Sequence, residues 1–265
     1  MVWDLENMKF RPCIDLHQGQ VKQIVGSTLV DGEPEKLETN FTAHQPPKWY
    51  ARLYRADDLT GGHVIMLGPG NDNAAAEALA AWPGGLQIGG GISAQNAALW
   101  LDRGASHVIV TSWVFREGRV DIDRLNLLKD EVGRERLVLD LSCRRRGDDY
   151  FIVTDRWQTF TEVKIGNKTL AELANYCNEF LIHAADVEGK CSGVDTDLVK
   201  LLGEITCLPT TYAGGIRNLT DLELIRTAGN DKLDATIGSA LDIFGGHLIR
   251  YDEVVAYHRK YYRNI

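Results

Sequence analysis

Leu86-Gln87-Ile88-Gly89-Gly90-Gly91-Ile92 and Thr211-Tyr212-Ala213-Gly214-Gly215-Ile216 read as two versions of one device, a short apolar strand running into glycines. Each is followed by a helix-like segment and then by a strand ending in small polar residues. Those strands are Val108-Ile109-Val110-Thr111-Ser112 in the first half and Ala235-Thr236-Ile237-Gly238-Ser239 in the second. The two sets lie about 125 residues apart, too long a period for a solenoid, and indicate a duplicated half-barrel. Glycines at a strand end let the backbone approach a ligand, and the helix that follows offers free N–H groups and a positive dipole end to an anion. Two such units imply two anion sites. Gly90, Gly91, Thr111 and Ser112 belong to one, and Gly214, Gly215, Gly238 and Ser239 to the other. Either glycine pair alone reads equally well as a plain turn; its repetition in both halves is the argument for a ligand.

Outward from these stretches the chain alternates. Buried strands are expected to start near residues 10, 63, 85, 107, 137, 179, 209 and 233, with helices between them. Eight short strands alternating with helices predict an α/β protein, a (β/α)8 barrel with a two-fold half-barrel repeat, built as one domain over residues 1–265. A doubly wound open sheet is the alternative. Val21 to Val25 extends the first strand through a Gln18-Gly19 turn. Residues 26–47 read as a long polar loop, and Phe151 to Phe160 as a hairpin-like insertion around Trp157.

Composition limits the function classes. The chain has 265 residues, 44% hydrophobic and 25% charged, enough for one large core. A formal net charge of -8 argues against a nucleic-acid partner, so any phosphate affinity must come from the site itself. No apolar run approaches the length of a membrane span, and the start lacks an apolar signal region. The five cysteines, Cys13, Cys143, Cys177, Cys191 and Cys207, form no CxxC pair, which argues against a disulfide framework and a zinc site and for a reducing compartment. That compartment is the cytoplasm, or the plastid stroma if a transit segment has been removed. No metal motif or nucleotide fingerprint occurs, so no cofactor and no metal are expected, and a monomer is.

In such a barrel the site is built at the C-terminal ends of the strands. Asp15 and Asp140 both fall there, one in each half, again about 125 residues apart. Two carboxylates facing each other suit acid-base work, one ionised and the other kept protonated. The plainer roles are a turn cap or an ion pair with Arg144, which with Arg145 and Arg146 forms a basic cluster beside Asp140. Of these, Arg144 is the candidate for a phosphate or aspartate partner. His183, Asp186, Glu188 and Ser192 follow the sixth strand and are polar enough to contact sugar hydroxyls.

Cys13-Ile14-Asp15-Leu16-His17 with Gly19, Val21, Lys22 and Gly26, the two glycine loops and Gly238-Ser239-Ala240 together resemble the sugar isomerase family of histidine biosynthesis, the phosphoribosylformimino-AICAR-phosphate isomerases. The likeness covers nearly the whole chain. Val110-Thr111-Ser112-Trp113, Asp140-Leu141-Ser142-Cys143-Arg144 and His183-Ala184-Ala185-Asp186-Val187-Glu188-Gly189 look like the plant and fungal branch. The resemblance implies an Amadori rearrangement of an aminoaldose bisphosphate, ProFAR, to the aminoketose PRFAR. His17 and Gly26 then join the substrate-binding set and Trp157 stacks on the imidazole carboxamide. It also implies Asp140 as general acid and Asp15 as base, and so a raised pKa for Asp140.

Two departures stand out. The bacterial pattern places its acid in line with Ser142, two residues beyond Asp140. Met66-Leu67-Gly68 stands where bacterial members tend to carry an acidic residue. Two rival functions stay open. The cyclase of the same pathway shares the barrel and both phosphate loops, but usually carries a lysine where this chain has His17, and it needs a glutaminase partner. A phosphate-binding barrel without catalysis is the other, although a pure binder has no use for two acids.

Overall fold

The computed structural model describes residues 8–25, 28 and 38–262. β1 (Cys13–His17) turns back into β2 (Gln20–Ile24), and β3 (Thr39–Thr42) pairs with β2. The chain continues through α1 (Pro47–Ala56), β4 (Gly62–Met66), α2 (Asp72–Ala81), β5 (Leu86–Gly89), α3 (Ala97–Asp102) and β6 (Val108–Val110). A small ribbon, β7 (Phe115–Arg116) and β8 (Arg119–Val120), leads into α4 (Ile122–Val132) and β9 (Leu137–Asp140). An inserted three-stranded sheet follows, β10 (Cys143–Arg146), β11 (Asp149–Thr154) and β12 (Thr159–Lys164). The last part comprises α5 (Asn167–Leu173), β13 (Glu179–His183), α6 (Thr196–Ile205), β14 (Thr210–Ala213), α7 (Leu219–Ala228), β15 (Leu233–Thr236) and α8 (Tyr251–Tyr261).

β1, β4, β5, β6, β9, β13, β14 and β15 pair in parallel in that order. The ring closes where Phe10 bridges Ala235 in parallel, with Arg11 N donating to Ala235 O and Ala235 N donating to Lys9 O, both at 2.9 Å. This is the (β/α)8 barrel. β5, β6, β9, β14 and β15 are buried at every position because side chains on one face fill the barrel and those on the other meet the helices. Two cores result. Ile109, Val138, Leu181 and Ala213, with Ile65 against them, pack inside the ring, while the larger core lies between sheet and helices. Helix starts are written locally: Asp121, Asp195 and Asn218 each accept a hydrogen bond from the backbone N–H three residues on and cap α4, α6 and α7.

Three elements differ from the sequence reading. The polar stretch 26–47 contains β3 and the start of α1, and the part of it that includes Gly26 lies outside the described residues. The insertion is a full sheet, with the basic run Arg144 to Arg146 as its first strand. Helix α8 was not anticipated; it buries Tyr251, Val254, Val255 and His258, and His258 Nδ1 accepts from Phe10 N at 3.1 Å beside the closing bridge.

The N-terminal end of the barrel carries a buried charge network. Arg11 Nε lies 2.6 Å from Asp234 and its Nη1 2.9 Å from Glu179, to which Gln87 also donates at 2.7 Å. Burial works against the Arg11 charge and is outweighed by the two carboxylates; burial likewise pushes Glu179 up, but Arg11 pulls it below the ordinary glutamate value. Removing one member strands the others. Arg11→Met should therefore cost about 3–5 kcal/mol, read as a lower urea midpoint. Because the folded-state pKa of Glu179 is depressed, its contribution is full above the unfolded glutamate range and is lost as pH falls through the folded value. An Arg11→Met midpoint equal to that of the parent chain, with the same acid limb, would show the network to be neutral.

Candidate active site

Asp15, near the end of β1, accepts a hydrogen bond from Gln23 Nε2 of β2 at 2.9 Å. Asp140, the last residue of β9, accepts at one oxygen from Ser142 N at 2.9 Å and from Ser142 Oγ at 2.6 Å. His183, at the end of β13, points Nδ1 at Asp140, 3.4 Å away, and at Ser142 Oγ, 3.3 Å away. Ser142 is fully buried and lines no described cavity, so Asp140 is the member of that pair that reaches the site.

Two cavities meet over these groups. One of about 500 Å³ is lined by Asp15 and Asp140 together with Gly90, Gly91, Thr111 and Ser112. The other, of about 40 Å³, is lined by Gly214, Gly215, Gly238 and Ser239. Asp15, His183 and Glu188 line both. The two anion units of the sequence thus open on opposite sides of one set of titratable side chains. Trp157 lines the larger cavity, its ring 5.6 Å from that of His183, at the tip of the β11–β12 hairpin. Asp155, Arg156 and Trp157 are consecutive residues with φ of 53°, 57° and 66°, a left-handed turn that side chains resist, and Asp155 N donates to Ser112 Oγ at 3.0 Å.

Other candidates lie elsewhere. Arg144 Nε donates to Asp186 at 2.8 Å and Arg145 N donates to its second oxygen at 3.0 Å, so this pair fastens the loop after β13 to the inserted sheet. Arg144 and Asp186 line neither cavity, and neither does His17, which sits 3.4 Å from Lys22 Nζ. Sequence reasoning missed Gln23 and Arg156. Arg156 lines the larger cavity, and its place directly before Trp157 was the available signal. Cys13, Asp15 and His63 bring three ligand-type atoms within 4.8 Å of one another. Burial, and then the Asp15 charge, push the Cys13 thiol well above its ordinary value.

Residues 9–248 match the family model described as histidine biosynthesis protein. The chain belongs to this family. It is 54% identical over 259 residues to the chloroplastic 1-(5-phosphoribosyl)-5-((5-phosphoribosylamino)methylideneamino) imidazole-4-carboxamide isomerase of Medicago truncatula, covering 96% of this chain and 83% of that one. To the isomerases of the same name from Yarrowia lipolytica and Saccharomyces cerevisiae it is 50% and 48% identical, covering 96% and 95% of this chain and 99% and 98% of theirs.

The electrostatics correct one expectation taken from the family resemblance. Asp140 does not have a raised pKa. Burial pushes it up, but His183 and the Ser142 hydrogen bonds pull it below the ordinary aspartate range. Asp15 is the raised carboxyl: burial, then the Glu188 charge, lifts it to about 6. Glu188 is raised as well, by burial first, and among the described residues its Oε2 is buried without a hydrogen-bond partner.

The glycine loops give a test of close backbone approach. A Cβ on Gly90, at φ 93°, would run into the Met66 carbonyl oxygen, whereas one on Gly91, at φ 70°, would meet nothing within 4 Å. Gly91→Ala should cost about 1–2 kcal/mol of left-handed strain. Gly90→Ala should cost that plus about 1–3 kcal/mol of overpacking. Urea midpoints of the two variants check the order, and equal losses would mean that the backbone at Gly90 yields freely.

Proposed function

We propose that the chain catalyses the Amadori rearrangement of ProFAR to PRFAR, opening the ribose of an aminoaldose and moving a proton from C2 to C1. The observation that carries this is the pair of cavities: two anion units of matching construction flank a single group of acids, as a ligand with a phosphate at each end requires. The chain is an isomerase of histidine biosynthesis, like the relatives that align with it over nearly its whole length. Those relatives also favour the isomerase over the cyclase reading, in agreement with His17 standing where the cyclase usually has lysine.

Asp15 is the base. Its pKa near 6 leaves it ionised at neutral pH yet basic enough to take a proton from carbon, and Gln23 fixes its orientation. Asp140 stands at the acid end with His183 and Ser142. Trp157 covers the imidazole carboxamide from the hairpin, and a monomer suffices for the site, since one chain supplies both anion units and both aspartates. All five cysteines are free, which supports a reducing compartment, cytoplasm or plastid stroma; among the described residues no helix is long and apolar enough to cross a membrane.

The test is turnover of the aminoaldose bisphosphate by purified protein in chelator and without ammonia. Asp15→Asn should lower kcat by about 10²–10⁴-fold with binding largely kept. In the parent protein kcat/KM should fall as pH drops through about 6, because protonation removes the base. Binding without turnover would instead make the chain a non-catalytic barrel, and a requirement for ammonia would make it a cyclase.

A further inference from the structure

Ring opening needs a group that gives a proton to the ribose ring oxygen. Asp140 is poorly suited to store it. Ser142 supplies one of its oxygens with two donors, at 2.6 and 2.9 Å, and His183 Nδ1 lies 3.4 Å from both oxygens. A carboxylate so supplied is stabilised as the anion. His183 is placed the other way round. Among the described residues both of its polar contacts fall on Nδ1, which leaves Nε2 as the nitrogen for a substrate, and the ring lines both cavities, between the two anion units. It is surrounded by carboxyl groups from three elements: Asp140 of β9, Asp15 of β1 and Glu188 from the loop after β13. His63 of β4 is a further titratable neighbour, its ring 6.4 Å away, and the Trp157 ring lies 5.6 Å away.

We infer that His183 is the general acid of this site, with Asp140 and Ser142 as the positioning residues that hold its ring and its proton, an inference that rests on the isomerase reading above. The charges agree. Burial works against a cation at His183, but Asp140, then Glu188 and Asp15, raise it to about 9, whereas burial, then His183, takes His63 down to about 3 and keeps it neutral.

The proton inventory closes. Nε2–H gives its proton to the ring oxygen as the C1–O bond breaks and the exocyclic nitrogen's lone pair forms the C1=N bond. Asp15 takes the C2 proton; the C–H pair becomes the C1=C2 bond of an enaminol, and the C=N pair returns to nitrogen. As the enaminol becomes the ketone, Asp15 returns its proton to C1 and the now neutral His183 takes the proton of the 2-hydroxyl. Both groups end as they began.

The experiment compares the parent protein with His183→Gln, Asp140→Asn and Ser142→Ala on the aminoaldose bisphosphate across pH, in chelator and without ammonia. His183→Gln should lose about 10²–10⁴-fold in kcat with KM little changed. Asp140→Asn should keep a measurable rate whose alkaline limb moves to lower pH, because the imidazole has lost its anion. Ser142→Ala should move that limb less. In the ¹⁵N-labelled parent protein the His183 ring nitrogens should titrate as an imidazolium well above pH 7. A His183→Gln variant that keeps kcat within a few-fold, or a His183 ring that is neutral at pH 7 in the parent protein, would overturn the inference and leave the isomerase reading intact. A parent protein with no turnover would overturn both.

Discussion

The pairing of Phe10 with Ala235 is the constraint on which the rest depends. In an open sheet of the same order β1 and β15 would be the outermost of the parallel strands, and the Gly238-Ser239 turn would be far from Asp15 and Gln23 of the β1–β2 hairpin. Closure makes them neighbours. It also explains why a charge network is tolerated at the N-terminal end, where Arg11, one residue from the bridge, reaches Asp234 of β15 and Glu179 of β13. The network ties three strands at one end of the ring, while His258 of α8 takes the Phe10 N–H. These contacts are at the end of the barrel away from the candidate site, which is where structural rather than chemical demands are expected.

At the opposite end the same closure gathers three carboxyl groups around one imidazole. Their environments separate them. Asp140 has two donors from Ser142 and the imidazole of His183, Asp15 has the Gln23 amide and the weak Cys13 thiol, and among the described residues one oxygen of Glu188 has none. The order of donor supply matches the directions of the pKa shifts, with Asp140 low and Asp15 and Glu188 high. Titratable groups driven apart in this way are what acid-base assignments are read from. The proton at the acid end is held by the pair of His183 and Asp140 rather than by the carboxyl that strand position alone singles out.

The barrel was legible in the sequence because strands covered on both faces are short apolar runs, such as Leu137 to Leu139 or Val108 to Val110, that end where glycine or a polar residue begins. Asp15 and Asp140 were legible for the same reason, as polar residues at the ends of such runs. β3 was not, since Thr39, Asn40 and Thr42 are exposed and the strand forms only by pairing with β2. α8 mixes charged residues at Asp252, Glu253, Arg259 and Lys260 with its apolar ones and owes its place to four buried side chains. The link between Asp140 and His183 joins residues 43 positions apart on adjacent strands, so neither local pattern contains it. Ser142 illustrates the limit: it stands in line with the bacterial acid, but the chain leaves the strand after Asp140 and folds the hydroxyl back onto the carboxylate.

Gln23 connects the two themes of closure and chemistry. Its Nε2 donates to Asp15 and its Oε1 accepts from Ser239 Oγ at 3.3 Å, while Asn40 donates to the same Ser239 oxygen at 3.1 Å. A side-chain amide has one donating and one accepting end, so these two contacts fix its orientation and with it the lone pairs of Asp15. Gly238 must be glycine for this to hold, because a Cβ there would occupy the place of Gln23 Oε1. The second glycine unit is therefore two hydrogen bonds from Asp15, the base of the proposed reaction. In the proposed reaction, binding energy from a phosphate held far from C2 has a physical route to the reacting end, through the orientation of Asp15, which is the use of remote binding that raises kcat rather than merely lowering KM.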